Sequence, residues 1–407
     1  MVKVTRTEQH TIKKTNPLWK IIDELCFKSK NIYNYGNYII RQEFINNGKW
    51  IKYNDLFKLV KDSEPYKDIG SNVGQSTLRL LDKNWKSFFI AIKDWSNNKS
   101  KYLGRPKIPK YKAKNGRYIL GLDNNKVMIK DRFIYFAWKP LKVLNNHFIT
   151  KIPQDNKVFQ CRFIPTGSSY TMEIIYEVEV AEQPVSSERI ISIDLGVDNF
   201  VTITNNVGLK PFVIKGGVIK STNQYYNKEK ARMQSQLKTI NKKDWSNRLQ
   251  KLTEKRNNKI KYLMHVYSKR IIDYCLENGF DTIVCGYNKE WKQESVMTKK
   301  VNQKFVTIPY EIFISMLDYK ALDSGKKFIL NEESYTSGTS FLDNEFPVKE
   351  NYDKSRRVYR GLFKSNTGKL INADVNGSYQ IMKKVFPNVF DNGIEGAGCH
   401  PMSMKIA

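Results

Sequence analysis

Two aspartates stand where an acidic side chain could do chemistry. Asp194 ends the apolar run "RIISIDLGV", and Asp374 lies in "GKLINADVNGSYQ", just before a predicted helix. A carboxylate that leaves a buried strand is costly unless it pairs or binds a cation. Carboxylate oxygens suit Mg²⁺, and two such ions could activate a water and stabilise the leaving oxygen of a phosphodiester. Each aspartate also has an ordinary interpretation, as the cap of a turn or the N-cap of a helix.

A two-metal site commonly needs a third carboxylate, and the expected position holds a glycine. The apolar run "FDTIVCG" ends at Gly286, and the nearest acids, Glu290 and Glu294, fall in the loop beyond it. The next predicted strand, "KKFILNEE", ends in Glu332 and Glu333. If the two strands are neighbours, one glutamate could reach the metals, and alternation lets only one point inward. We favour Glu333, with Glu332 as the alternative; an ordinary pair of solvated glutamates is the competing interpretation.

The elements that must position these acids form an α/β pattern in the second half of the chain. After a linker-like segment, 181–189, come three predicted antiparallel strands in "RIISIDLGV", "NFVTITNN" and "KPFVIKGG". A charged helical stretch, 225–279, with a turn at "NKKDW", precedes a strand, a helix over 310–324 and a last strand. This is the element order of an RNase H-like sheet.

The first half mixes strands and helices around a basic segment. In residues 1–15 apolar and polar residues alternate as in a strand, and from there to Trp95 the apolar residues have helical spacing. Residues 126–180 again have the pattern of strands. We therefore expect a small β-barrel with inserted helices. Between them, residues 100–122 read "SKYLGRPKIPKYKAKNGRYILGL". This segment is either a solvated linker or a loop that follows a phosphate backbone. Its candidate nucleic-acid contacts are Arg105, Lys107, Lys110, Tyr111 and Lys112.

The charge balance indicates a polyanionic partner. The 407 residues include 69 Lys and Arg against 40 Asp and Glu, a formal net charge of +29. Nucleic acid is favoured over an acidic membrane, because no apolar run of about 18 residues, signal peptide or lipidation motif is present. The five cysteines are scattered without CxxC spacing, which predicts neither disulfides nor a structural zinc, and a reducing cytoplasm suits them.

Several segments of the second half together resemble the TnpB (OrfB) proteins of bacterial insertion sequences, which are related to the compact type V CRISPR effectors. They are "SIDLGVDNFVTI", "HVYSKRIIDYC", "NKEWKQE", "SYTSGTSFLD" and "YRGLFKSNTGKLINADVNGSYQIMKKVFPNVFDNGIEG". The similarity covers 190–395 in order and at sensible spacing. In the first half it is limited to the architecture and "GRPKIPKYK".

The resemblance implies a fold of class α/β plus α+β. A RuvC nuclease domain with an RNase H-like fold would occupy 186–407, with a degenerate zinc-ribbon-like insertion at 334–368. A wedge β-barrel, formed by 1–15 and 115–182 with a helical recognition insertion at 16–114, would occupy 1–185. Asp194 and Asp374 match the family's first and last catalytic aspartates.

The implied activity is that of a Mg²⁺-dependent, RNA-guided DNA endonuclease with two metal ions. The implied partners are a guide RNA from the transposon end and target DNA, double-stranded and single-stranded, cut beside a short adjacent motif. We expect a monomer bound to one RNA, in the bacterial cytoplasm near the nucleoid, and no membrane partner.

The chain departs from the family pattern at two places. Gly286 stands where the family's usual second-motif glutamate lies, and the zinc-ribbon cysteines are absent from 334–368. Some branches of the family look similar in both respects, with "GxNKxWKQE" and "EESYTS" in corresponding places, which favours a relocated acid. The main rival is a nuclease-inactive, RNA-guided DNA-binding protein, against which the retention of both aspartates argues. A guide-independent transposase or resolvase is a more distant alternative.

Overall fold

The chain divides into two compact units, residues 3–179 and residues 180–407 together with 1–2. The computed structural model describes residues 1–181, 183–186, 188–288, 299–391, 393 and 398–404, without the side chains of 241, 299–301 and 304. None of the helices in these ranges is both long and apolar enough to cross a membrane.

The first unit combines a β-sheet with helices that are inserted between its first two strands in the sequence. Its strands are β1 (Val2–Ile12), β2 (Leu120–Asp123), β3 (Val127–Lys130), β4 (Phe133–Phe136), β5 (Val158–Thr166) and β6 (Ser169–Val180). Among the described residues, β1-β6-β5-β2 form one sheet in that order, and β3-β4 form a separate hairpin. The helices α1 (Trp19–Asn47), α2 (Tyr53–Val60), α3 (Glu64–Ile69) and α4 (Ser71–Asn97) all lie between β1 and β2 in the sequence.

A glycine sets the close approach of α1 to α4. An ideal Cβ at Gly36 would lie 2.9 Å from Leu78 Cδ2 and 3.0 Å from Leu81 Cδ2, so only a glycine fits there without a shift. Trp85, on the same helix as both leucines, is fully buried. The helical part of this unit therefore has a real core, as the apolar spacing of α1 and α4 predicts.

The second unit is built on a mixed sheet with helices packed on it. Its strands are β7 (Ile190–Leu195), β8 (Asn199–Asn205), β9 (Phe212–Lys215), β10 (Thr282–Gly286), β11 (Lys327–Asn331), β12 (Arg357–Tyr359), β13 (Leu362–Lys364), β14 (Leu370–Asn372) and β15 (Met402–Ser403). Its helices are α5 (Gly217–Asn241), α6 (Asn247–Glu277), α7 (Lys299–Val306), α8 (Tyr310–Asp323) and α9 (Ala373–Val385).

The main sheet has the predicted RNase H-like topology. Its strand order over the described residues is β11-β10-β7-β8-β9-β15, with β7, β8 and β9 antiparallel and β10 parallel to both of its neighbours. The edge strand β15 and the small sheet β12-β13-β14 were not predicted, because each strand has only two or three residues. Ile240, in the last turn of α5, is 76% exposed.

Buried hydroxyl groups fix α9 against the sheet. Ser192 Oγ donates to the Ser378 carbonyl at 2.6 Å, and Ser378 Oγ donates to the Ser192 carbonyl at 2.9 Å. An ideal Cβ at Gly377 would lie 3.2 Å from Asp194 Oδ2, so the helix passes directly over that carboxylate. These contacts hold the first turn of α9, and therefore Asp374, beside the end of β7.

Candidate active site

Three carboxylates from separate elements come together at one edge of the main sheet. Asp194 lies near the end of β7, Glu333 follows β11, and Asp374 is the second residue of α9. In the register, Ile193 pairs with Cys285 and Gly286 pairs with Asn331, so β7, β10 and β11 end at the same edge. The charges of Asp374 and Glu333 both act on Asp194.

The Glu333 carboxylate occupies the place that a side chain at position 286 would take. An ideal Cβ on Gly286 would lie 2.6 Å from Glu333 Oε2 and 2.5 Å from Ile381 Cδ1. The Glu333 backbone N–H donates to Asn288 Oδ1 at 3.1 Å, which fixes the turn after β11. A glycine at the end of β10 therefore admits the glutamate of the neighbouring strand.

Glu332 points elsewhere. Its carboxylate is exposed and accepts hydrogen bonds from Lys384 Nζ at 2.6 Å and from the Ser334 backbone N–H at 2.7 Å. The structure thus brings Glu333, and not Glu332, to the two aspartates. Glu290 and Glu294 lie outside the described residues, as does most of the "NKEWKQE" segment.

The N-cap interpretation of Asp374 is wrong, because Asn372 caps α9. The Asn372 side chain accepts hydrogen bonds from the Asp374 and Val375 N–H groups, both at 3.1 Å. The Asp374 carboxylate is left to accept from Asn199 Nδ2 at 2.7 Å. It also lies 4.0 Å from Arg357 Nη2.

The electrostatics of the cluster favour a cation. Burial raises the pKa of Asp194 well above its usual range, and repulsion from Asp374 and Glu333 adds to this effect, while Arg357 partly offsets it. Burial and the neighbouring Glu332 carboxylate raise the pKa of Glu333 to about 7. Within the described part of the chain, Glu333 Oε2 is buried without a hydrogen-bond partner. Crowded carboxylates of this kind are stabilised in their charged form by a positive ion.

The donors present fit Mg²⁺ rather than a metal caged by protein alone. No group of three or more His, Cys, Asp and Glu side chains in the described ranges is arranged to hold a metal ion by itself. Mg²⁺ typically takes one or two carboxylates and keeps water and substrate phosphate as its other ligands. An unpartnered carboxylate oxygen beside two aspartates is consistent with that partial protein contribution.

Two arginines near the acids were missed by the sequence reasoning. Arg357 and Arg360 lie at the β12–β13 hairpin, and Arg360 Nη2 is 3.1 Å from Asp198 Oδ2 in the turn after β7. Between them, Tyr359 is 64% exposed. The quoted "YRGLF" segment includes Arg360 but not Arg357, and only the fold brings both arginines to the aspartates.

The basic segment of the first unit is held in place along α1. We call residues 105–117 the strap. Asn34 Nδ2 donates to the Lys112 carbonyl at 2.9 Å, and the Lys112 N–H donates to Asn34 Oδ1 at 2.8 Å. Further donors one or two helical turns away also bond strap carbonyls: Lys30 to Lys114, and Asn37 and Arg41 to Pro109.

The five predicted nucleic-acid contacts of the strap are not equivalent. Arg105, Lys107, Lys110 and Tyr111 are exposed. Lys112 is half-buried, with its ammonium 4.8 Å and 4.9 Å from the ring centroids of Tyr33 and Tyr118, and burial lowers its pKa. The exposed residues are therefore available to a ligand, whereas Lys112 packs within the protein.

Comparison with known families and structures agrees with this architecture. Residues 173–292 match the family described as "OrfB_IS605: Probable transposase", and residues 310–381 match the family described as "Cas12f1-like, TNB domain". No curated protein has a significantly similar sequence.

Two solved structures resemble this chain at low sequence identity. The Cas12f1–sgRNA–target DNA complex is matched with a TM-score of 0.54 and 16% identity, over 89% of this chain and 82% of that one. The mini-RNA-guided endonuclease Cas_phi3 is matched with a TM-score of 0.45 and 10% identity, over 98% and 94%. The first match shows a shared fold. The two family matches follow one another along the chain, mostly within the second unit, and confirm the predicted resemblance to the TnpB (OrfB) family.

Proposed function

We propose that the protein is an RNA-guided DNA endonuclease whose third carboxylate has moved from strand β10 to the end of β11. The observation that carries this proposal is the Glu333 oxygen 2.6 Å from the position of a Gly286 Cβ. A carboxylate on β10 and one from Glu333 cannot both fill that space. A binding protein without catalysis has no need to keep three carboxylates crowded together at a cost in electrostatic repulsion.

Each residue of the site has a role that follows from its position. Asp194, Asp374 and Glu333 would hold two Mg²⁺ ions, which supply an activated water and stabilise the leaving oxygen. Asn199 orients the Asp374 carboxylate through its hydrogen bond. Arg357, beside Asp374, offers a positive charge to the phosphate being cut.

The remainder of the chain would bind the nucleic acids. In this proposal residues 1–185 form a wedge barrel, from 1–15 and 115–182, with a helical recognition insertion, 16–114, that reads the adjacent motif. Residues 186–407 form the RuvC domain. The solved complex of similar fold contains a guide RNA and target DNA. The net charge of +29 would lie along such a heteroduplex, which is recognised by its shape and backbone while base pairing reads the sequence.

Plasmid cleavage tests the proposal. The protein, purified with its RNA, is incubated with a plasmid carrying the matching target, in Mg²⁺ or EDTA, and the co-purified RNA is sequenced to identify the guide. We expect cutting in Mg²⁺ by the wild type and by the control Glu332→Ala, and none by Asp194→Ala or Glu333→Ala. Target binding without cutting by the wild type would instead support the RNA-guided binding protein. If Glu333→Ala cut the plasmid as fast as the wild type, the relocated carboxylate would be rejected, while the proposed nuclease activity would be supported.

Metal binding has a readout that does not depend on cleavage. Ligand at about 100 times its Kd stabilises a folded protein by about 2.7 kcal/mol. We expect saturating Mg²⁺ to raise the Tm of the wild type and of Glu332→Ala. Asp194→Asn should lose that increase, and in EDTA it should be at least as stable as the wild type because a repelled, buried charge is removed.

A further inference from the structure

The helical hairpin of α5 and α6 carries an excess of positive charge. Residues 217–277 contain fifteen Lys and Arg against five Asp and Glu. Most surface helices alternate both signs along the exposed face, whereas this one is basic over much of its length. The excess points to an anionic ligand on this face of the second unit.

Two clefts flank α5 and share a polar wall. The first has a volume of about 320 Å³ and is lined by Lys220 and Lys228 together with Asn223 and Thr307. The second, about 300 Å³, lies between α5 and α6 and is lined by Tyr225, Lys255, Arg256 and Lys259 among others. Both clefts are open and are lined by at least two Lys or Arg side chains each, which suits an anionic chain better than a neutral apolar ligand.

Arg256 lines the second cleft and bonds Asn223 and Thr307 of the first, so these three residues form the wall between the clefts. The hydrogen-bond partners of Arg256 among the described residues are all neutral. Its guanidinium donates to Asn223 Oδ1, to the Thr307 carbonyl and to Asn257 Oδ1, at 2.8, 2.8 and 2.9 Å. It also lies 5.7 Å from the centre of the Tyr226 ring. Burial lowers the pKa of Arg256, and no carboxylate of the described ranges is recorded as its ion-pair partner. A half-buried cation of this kind is stabilised by an incoming anion.

The first cleft begins next to the carboxylate site. Lys220 pairs with Asp198, which also pairs with Arg360 and lies four residues after Asp194. From Lys220 to Lys228 the cleft follows α5 for about 12 Å, at 1.5 Å per residue. A strand that leaves the carboxylates on this side would therefore meet a succession of cations.

We propose that the two clefts form one track for the phosphodiester backbone of the single DNA strand that enters the carboxylate site. Lys220, Lys228, Lys255 and Lys259 face successive phosphates, Arg256 supplies a fixed charge between the clefts, and Tyr225, 63% exposed, stacks on a base. The identity of the strand rests on the proposed nuclease function, whereas the binding of phosphates does not.

Strand binding is measured with the full-length protein in EDTA, so that cleavage does not contribute. The probes are a fluorescein-labelled, 25-nucleotide single-stranded DNA and an RNA of the same sequence. The test variant is Lys255→Gln/Lys259→Gln, two exposed side chains one helical turn apart. Its matched control is Lys242→Gln/Lys243→Gln, which removes the same charge from the exposed turn between α5 and α6.

We expect the test variant to bind the DNA about tenfold more weakly near physiological salt, while the control binds like the wild type. The slope of log K against log salt should fall in magnitude by about 1.4, since each phosphate contact to a single strand contributes about 0.7. An equal loss in the control, or a loss confined to the RNA probe, would overturn the track for DNA. Plasmid cleavage by the wild type in Mg²⁺ is measured separately, so failure of the nuclease proposal is distinguished from failure of the track.

A second variant tests the shared wall. Arg256→Lys keeps the charge but loses the planar guanidinium that bonds Asn223 and Thr307. We expect a loss of DNA affinity of a few fold, less than that of Arg256→Gln, with thermal unfolding as the check on folding. Equal affinity of Arg256→Gln and the wild type, when both are folded, would exclude Arg256 from the track.

Discussion

The glycine at position 286 is the residue whose change tests the relocated carboxylate most sharply. Gly286→Ala adds a methyl group where an ideal Cβ lies 2.6 Å from Glu333 Oε2 and 2.5 Å from Ile381 Cδ1. Ordinary carbon–oxygen contacts measure about 3.3–3.6 Å, so the Glu333 carboxylate must retreat by roughly 1 Å from its position in this structure. The backbone of Gly286 is not among the left-handed glycines, so the added methyl group causes no strain of its own there.

The expected effect on rate is much larger than the effect on folding. A misplacement of about 1 Å at a reacting group costs on the order of 100-fold in rate. We therefore expect Gly286→Ala to cut target plasmid about 100 times more slowly than the wild type in a single-turnover assay, with target binding in EDTA unchanged. The overpacked methyl group should also lower the free energy of unfolding by about 1–3 kcal/mol, as measured by urea denaturation.

Ile381 offers the matched control, because it shares the clash but carries no charge. Ile381→Val removes Cδ1 and by itself should cost about 0.5–1.5 kcal/mol. In Gly286→Ala/Ile381→Val the closest apolar contact, with Cδ1, is removed and only the 3.0 Å approach to Cγ1 is left on the apolar side, while the contact with Glu333 Oε2 remains. We expect stability to return close to that of Ile381→Val and cleavage to stay slow. Wild-type cleavage by Gly286→Ala, or full recovery of cleavage in the double variant, would refute the reasoning.

Three more predictions concern the arginine beside the acids, the strap and a partly buried ion pair. Arg357→Ala removes the cation 4.0 Å from Asp374 and should slow plasmid cleavage at least about tenfold without weakening target binding. Arg357→Lys should recover part of the cleavage rate. Unchanged cleavage by Arg357→Ala would exclude this role. Asn34→Ala removes two hydrogen bonds to the strap, so it should lower the free energy of unfolding by about 1–2 kcal/mol and speed tryptic cleavage within 105–117. An unchanged digestion rate would show that the strap is held without Asn34. Burial raises the pKa of Asp23, but hydrogen bonds from Arg117, at 2.9 and 2.6 Å, and from Tyr170, at 2.7 Å, together with the charges of Arg117 and Lys14, outweigh burial and lower the net pKa. The stabilisation from this pair is therefore complete above the unfolded pKa, about 3.9, and is lost as pH falls through the folded value. Asp23→Asn should lower the free energy of unfolding by about 2 kcal/mol at pH 7. It should also make the loss of stability below about pH 4 less steep than in the wild type. Urea unfolding measured across this pH range tests both effects, and parallel curves for the two proteins would contradict the prediction.

The sequence predicted those parts of the fold that depend on local pattern. The helices between β1 and β2 lie where the helical spacings as far as Trp95 predict them, and the turn at "NKKDW" lies between α5 and α6 as expected. The order of strands and helices in the second unit followed from apolar runs separated by turns. Each of these features is set by residues that are close together in the chain.

The contacts of the site depended on long-range packing and were less predictable. Two polar residues, Asn372 and Asp374, stand near the start of α9, and the sequence does not show which of them caps the helix. The structure shows that Asn372 is the cap and that the Asp374 carboxylate accepts a hydrogen bond from Asn199 instead. The position of Arg357 beside Asp374 depends on the β12–β13 hairpin, whose strands of three residues carry no periodic signal. Lys112 appeared equivalent to its basic neighbours, but the aromatic rings beneath it come from α1 and from beyond the strap.

The choice between the two glutamates shows what the missing information was. Residues paired across a sheet point to the same face, and alternate residues along a strand return to that face. Because Ile193 pairs with Cys285 and Gly286 pairs with Asn331, the row across the sheet continues from Asp194 through Gly286 to Asn331. Glu333 lies two residues past Asn331 and so shares the face of Asp194, whereas Glu332 has the opposite parity. The alternation rule was available from the sequence, but it selects Glu333 only once the register of β10 and β11 is known. The same register explains how an acid after β11 can serve the proposed site. The Glu333 carboxylate lies where a side chain at the end of β10 would be, so it fits there only because position 286 is a glycine.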